Sequence, residues 1–477
     1  MINLKDIYFG CSDANTEAER NPSVFREVFF DPNGYLDELL RGYKFILRGR
    51  KGDGKTAYGA QIHLISSEQN IHSYQRSLEN FNNATFLKIK TYDGIGGNPY
   101  ISFWKCVILI ECVRMLYEYN PNISTDEFAS IIYELNRLGF LSKDNDISMT
   151  ITKLVETNLT LNIKNLVQYG KKYNRNEELR GAEEIYLAVK RSIQNIYLND
   201  RFIFIIDGFD DILDSSEFKP EIITGLIRAA DEINKVFRKT TLSIKVILLV
   251  RDDILNLCRD PNLSKILRDS CIRLSWEISE NPFDSNLIRL VEKRIDAATH
   301  TENSFQQMWR EIFPEIIHTR KSMDYILENI IYRPRDILQL FQEIQKVFIP
   351  GKQLTSDRIT TALVKYSDDY FVEAMRDELT GFFPDNAVTV LPEILSRIGN
   401  RVFYLSDFEA ECSHYLEFEN VSARAVLERL FSYGYIGQHR PRGGMDYTVF
   451  SYRNSREVFQ SKDQCVLHRG LTRALKI

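Results

Sequence analysis

Residues 43 to 68, "YKFILRGRKGDGKTAYGAQIHLISSE", constrain the fold more than any other stretch of the 477-residue chain. "YKFILRG" (43–49) is a short apolar run of the kind buried on both faces of a sheet, and it closes on a glycine. "KTAYGAQIHLISSE" (55–68) then carries apolar residues at helical spacing. A strand that turns into a helix through a few glycine-rich residues cannot be a hairpin. It starts a βαβ unit, and so predicts a parallel sheet.

The joining loop carries its own chemistry. Gly49-Arg50-Lys51-Gly52-Asp53-Gly54-Lys55-Thr56, followed by Ala57, fits the spacing G-x-x-x-x-G-K-[ST]. Glycines let successive backbone N–H groups face an anion without Cβ atoms in the way, and the helix behind presents its positive end. Lys55 would reach the β- and γ-phosphates of a nucleoside triphosphate, and Thr56 would offer a hydroxyl to Mg²⁺. A chance match competes with this reading, and the strand-loop-helix context argues against chance. The chain has neither an "NKxD" element nor an "LSGGQ" signature, so ATP is expected rather than GTP, and an ABC-type protein is excluded.

Elsewhere, "ATFLKIKTY" (84–92), "RFIFIID" (201–207), "SIKVILLV" (243–250) and "SCIRLSW" (270–276) read as strands. A largely helical stretch from about 100 to 197 and the amphipathic "KPEIITGLIRAADEINKVFRK" separate them. The expected class is α/β: a P-loop NTPase parallel-sheet core with a helical lid and a C-terminal winged-helix-like domain. The corresponding segments are 1–34 (an N-terminal strap), 35–280 (core, with the helical insertion 100–197), 281–384 (lid) and 385–477. No strand is expected between Pro282 and about 403; "RPRGG" reads as a hairpin tip and "CVLHRGLTRAL" as a helix.

Totals narrow the function class. A net charge of −5 gives no general attraction to nucleic acid or membrane, so any basic surface must be local. Residues 421–477 supply one, with ten Lys/Arg against four Asp/Glu. Seven cysteines without a C-x-x-C pair argue against a disulfide framework or a zinc site, and fit a reducing cytoplasm. The most apolar stretch, Trp104–Val113, is too short to span a bilayer, and no leader pattern is visible. His468 has no second His or Cys at metal spacing and reads as a packed or capping residue.

A P-loop needs a carboxylate at the end of a second, central strand. Asp207 closes "FIFIID" and is the expected metal-side carboxylate, while Asp210 or Asp211 would orient the attacking water. An acidic, solvated loop is the alternative. "IIDGFDD" resembles the Walker B motif of the NACHT group of STAND ATPases, which are related to the AAA+ enzymes. The usual AAA+ pattern places Glu directly after the Asp, whereas here Gly208 stands there, which favours slow, switch-like hydrolysis over a motor. "FGCSDANTE", "FFDPNGYLDELLRGYKFILRGRKGDGKT", "IIDGFDD", "LLVRDD", "YRPRDILQL" and "VLHRGLTRAL" together resemble a bacterial family of single-chain P-loop ATPases associated with mobile elements and phage defence.

The resemblance implies roles for three arginines. Arg251, after "VILLV", matches a sensor position, against a salt bridge with Asp252 or Asp253 as the alternative. Arg335 in "YRPRDILQL" matches the second sensor, with Pro334 fixing the helix entry. Arg268 is placed as a finger completing a neighbouring copy's site, or is a plain surface arginine. Phe9 would stack on adenine, or else belong to a packing strap. With no effector of its own, such a chain is expected to act in trans on a partner protein, with self-association and DNA contact through "HRPRGG" as further options.

Overall fold

The computed structural model describes residues 3–66, 70–78, 99–120, 125–142, 146–156, 160–164, 167–168, 171–172, 176–180, 182–208, 219–276, 279–299, 304–442, 445–454 and 456–477. They form two compact units, one of Asn33–Arg50 with Lys55–Leu274 and the other of Met1–Pro32, Lys51–Gly54 and Ser275–Ile477. The segments expected from sequence as strap, lid and C-terminal domain thus fall within one unit. The expected strand 84–92 lies outside the described residues.

The first unit is built on five strands: β1 (Ile46–Gly49), β2 (Ile71–Ser77), β3 (Arg201–Asp207), β4 (Ser243–Arg251) and β5 (Cys271–Arg273). Their order is β2-β3-β4-β1-β5, all parallel. Phe202–Ile206 of β3 are all buried, and alternation sends them to both faces, so both faces are covered. Each such side chain contributes about 1.5–3 kcal/mol of burial. β2 is an edge strand in which only Ile71 is buried.

The helices of this unit include α1 (Lys55–Ser66), α2 (Pro99–Tyr119), α3 (Ala182–Gln194), α4 (Pro220–Phe237) and α5 (Pro261–Ser270). α2 packs against α3 and α4. Trp104 Nε1 donates to the Ile222 carbonyl at 3.0 Å, and a Cβ on Gly225 would lie 2.7 Å from Tyr100 Cβ, so that helix contact depends on a glycine. The insertion is not helical throughout. Thr160–Lys164 pairs antiparallel with Asn176–Arg180, and Val167–Gln168 with Lys171–Lys172. The alternation in "TLNIK" is the strand signal that the surrounding helical periodicity hides.

The second unit holds α6 (Asn286–Thr299), α7 (Pro334–Val347), α8 (Ser356–Tyr366), α9 (Val372–Leu379), α10 (Asp385–Ile398), α11 (Leu405–Cys412) and α12 (Ala423–Tyr433). β6 (Val402–Phe403), β7 (Ile436–Arg442), β8 (Met445–Val449) and β9 (Cys465–Leu467) form an antiparallel sheet in the order β6-β9-β7-β8. One apolar cluster runs through this unit from Leu4 to Leu475. One expectation holds in part and one fails. Of the expected helix, Arg469–Thr472 is helical, whereas Cys465–Leu467 is a strand, because pairing with β6 and β7 outweighs its helix-like spacing. A short hairpin, Ile316–Ile317 with Arg320–Lys321, also precedes β6. Among the described residues no helix is long and apolar enough to cross a membrane.

Candidate functional site

Three strand ends bring the predicted residues of the first unit to one edge of the sheet. β1 and β4 pair in register with Gly49 opposite Arg251, and β3 ends at Asp207. Ligands of open parallel sheets bind at this carboxyl edge. Thr56 Oγ1, in the first turn of α1, donates to Asp207 Oδ2 at 2.9 Å. Asp207 Oδ1 accepts from the Gly208 N–H at 2.8 Å, and Gly208 has φ +77°, a conformation costly for a side-chain-bearing residue. The glycine that replaces the expected Glu therefore helps fix the carboxylate.

Lys55 is buried, and its Nζ donates to the carbonyls of Gly49 at 3.1 Å and Arg50 at 2.9 Å, closing the loop on itself. Gly52 and Gly54 adopt φ +86° and +96°. Asp53 is buried, and Arg50, Lys51 and Ala57 are partly exposed. Hard oxygens of Thr56 and Asp207 at hydrogen-bond distance are the donor pair that Mg²⁺ with its water shell requires, so these residues fit the ion. Asp210 and Asp211 lie outside the described residues.

Arg251 is 5% exposed and binds Asp253, Nε to Oδ1 at 3.0 Å. Asp252 instead meets Arg48 at 3.2 Å and Arg273 at 3.1 Å. Arg268, in the last turn of α5, is exposed.

Within the second unit, the loop tip Lys51–Gly54 meets the start of α7. The Arg335 N–H donates to the Gly52 carbonyl at 3.4 Å, Arg333 Nη1 to the Lys51 carbonyl at 3.4 Å, and Trp276 Nε1 to the Asp53 carbonyl at 3.0 Å. A Cβ on Gly52 would stand 3.3 Å from Arg335 Cβ. Arg335 is partly exposed, whereas Arg333, which sequence reasoning passed over, is 2% exposed. Arg333 Nε donates to Asp336 Oδ2 at 3.1 Å, and its Nη1 bonds Glu378. Asp336 also accepts from the Tyr370 hydroxyl at 2.7 Å, and Glu378 from the Tyr435 hydroxyl at 3.1 Å. Burial alone would lower the Arg333 pKa, but Asp336 and Glu378 outweigh it and hold the guanidinium well above its ordinary value. The available signal was the spacing Arg333–Asp336, three residues apart across a helix start.

Phe9 is 2% exposed and packs on Phe341 with ring centroids 5.4 Å apart, the strap geometry rather than an open stacking face. Arg440, expected at a wing tip, binds Asp463 at 3.0 Å and also Glu457, so its charge is spent inside its own module.

Residues 285–374 match the family described as the FunZ-associated C-terminal helical domain. The chain is 24% identical over 482 aligned residues to an 80.3 kDa protein of Escherichia coli (strain K12) whose name links it to transposon gamma-delta. That alignment covers 95% of this chain and 65% of the relative, so the chain spans just under two thirds of the relative's length. Among solved structures, the Aeropyrum pernix ORC2 protein in ADPNP-ADP complexes aligns at 13% identity with a TM-score of 0.44, over 95% of each chain. CDC6P from Pyrobaculum aerophilum aligns at 14% identity with a TM-score of 0.27, over 95% of this chain and 97% of that one. At those scores the two structures add nothing to what the sheet order shows directly: a parallel α/β P-loop core with the loop strand and the Asp207 strand separated by one strand.

Proposed function

We propose that the chain binds and hydrolyses ATP with Mg²⁺ and uses the cycle as a conformational switch acting on a partner protein. The observation that carries this reading is the Thr56–Asp207 hydrogen bond, 2.9 Å long, beside a glycine loop whose lysine is held on its own carbonyls. On ATP entry, Lys55 exchanges those carbonyls for phosphate oxygens, and the loop N–H groups take the anion. Thr56 and Asp207 hold the Mg²⁺, which neutralises charge on the phosphates when bound. Asp210 or Asp211 positions the water, and Arg251 and Arg335 respond to the γ-phosphate. Since Gly208 stands where a motor-type enzyme has Glu, hydrolysis is slow and resets a state.

STAND-like switching, control of an effector in trans and service in a mobile-element or phage-defence setting extend the proposal. The relative's transposon name supports only the mobile-element part. Assembly with a second copy, with Arg268 as its finger, and DNA contact through the C-terminal winged-helix-like module are further proposals of this reading. The pairing of Arg440 within its module weakens the DNA one.

The test is phosphate release from ATP. Lys55→Ala is expected to lower turnover by about 100-fold or more, the scale of removing a charge-stabilising group. Turnover equal to that of the unsubstituted chain would defeat the enzyme reading.

A further inference from the structure

The second unit contains two cavities, of about 330 and 220 Å³, that share Arg320, Glu328 and Arg453 on their walls. Arg401 and Arg469 complete the second, and Lys321 and Asp324 line the first. Five cations therefore face two carboxylates. Glu328 is divided between Arg320, which it bonds, and Arg469 Nε at 3.0 Å. Arg401 Nε donates to the Leu467 carbonyl at 3.0 Å, and the Arg453 guanidinium carbon lies 5.8 Å from the centre of the Tyr452 ring. Burial, followed by the charge of Arg469, lowers the Arg401 pKa despite Glu328.

The walls are also unusual in backbone and rings. Tyr332, on the wall of the first cavity, has φ +30°. A non-glycine residue at positive φ stores strain of the kind found at ligand clamps. Tyr332 and Tyr452 stack at 5.7 Å with 23° between ring planes, setting an aromatic surface beside the arginines. Guanidinium forks match phosphate oxygens in pairs, and their planes stack on rings.

We propose that this recess is a second ligand site, which takes the phosphate of a mononucleotide-sized molecule between Arg320, Arg401, Arg453 and Arg469. Its volume suits one small ligand. A nucleic-acid backbone would call for an extended basic stripe instead. The site is separate in chemistry from the P-loop, and no residue is shared between them.

Calorimetric titration of AMP and of inorganic phosphate tests it, using the full chain carrying Lys55→Ala so that the P-loop does not contribute. AMP is expected to bind saturably and more weakly as salt rises. Arg453→Gln and Arg401→Gln should each weaken it roughly tenfold or more, as expected for loss of a charge-assisted bond. Glu328→Gln, which removes the competing carboxylate, should tighten it, a direction that misfolding cannot produce. Absence of saturable binding at millimolar AMP and phosphate overturns the proposal, as does an affinity indifferent to all three substitutions. A ten-nucleotide single strand that binds far more tightly than AMP, with the same arginine dependence, would also overturn it and assign the recess to nucleic acid.

Discussion

At the residue scale, His468 is the sharpest case of burial deciding chemistry. Its Nδ1 accepts from the Gly470 N–H at 3.0 Å, and its Nε2 lies 3.2 Å from the Tyr452 hydroxyl. Burial, then the charges of Arg453, Arg401 and Arg333, push its pKa from 6.5 down to about 3. The unfolded chain accepts a proton near pH 6.5 that the native ring refuses, so this contribution is intact above that pH and is lost as the pH falls towards 3. Stability from this group should drop by about 1.4 kcal/mol per pH unit below roughly pH 6. Urea unfolding at pH 7 and pH 5 measures the drop, and His468→Asn, which keeps a cap acceptor, should reduce it. Although His468 read only as a packed or capping residue of an expected helix, the placement of Lys55, Thr56 and Asp207 was legible in the sequence, because each sits at a fixed offset from a glycine or a strand end. Arg333 was not, because the partners that bury it, Glu378 and Tyr435, lie 45 and 102 residues away.

At the element scale, α2 carries the chain's most apolar run and yet buries Glu111 and Arg114 completely. Arg114 Nη1 meets Glu111 Oε2 at 3.0 Å, and its Nε donates to the Phe140 carbonyl at 3.1 Å, tying α2 to the turn after the helix Asp126–Arg137. Burial raises the Glu111 pKa, and Arg114 opposes the rise. Arg114→Met would leave that carboxylate to Arg76 at 3.3 Å and the Thr150 hydroxyl at 2.5 Å and should cost about 1.5–3 kcal/mol, seen as a lower thermal midpoint. Glu111→Gln in the same chain should recover part of the loss. Strands β1, β3 and β4 were readable because central parallel strands are apolar throughout. β2 was not, since an edge strand with one buried residue has no such run. The short strands at 160–180 were hidden between helices for the related reason that strand alternation over five residues is a weak signal.

At the scale of the molecule, two neighbouring arginines should separate stability from function. Arg333→Met removes the partner of two buried carboxylates and should destabilise the second unit by about 3–5 kcal/mol in chemical denaturation. Arg335→Met, at a partly exposed position, should leave the unfolding midpoint nearly unchanged while lowering ATP turnover. Equal effects of the two on stability would contradict the assignment. The sequence presents consecutive segments, but the second unit is assembled from both ends of the chain. Gln345 Nε2 holds the Ile7 carbonyl at 2.7 Å, Gln342 Nε2 the Gly10 carbonyl at 2.7 Å, and Arg294 Nη1 the Glu17 carboxylate at 2.8 Å. On a ribosome adding about 5–20 residues per second, Glu17 therefore waits on the order of tens of seconds for Arg294 to be made. The α/β unit can condense during that interval, while the first thirty residues stay exposed to chaperones and proteases, which makes the order of translation part of how this protein reaches its native state.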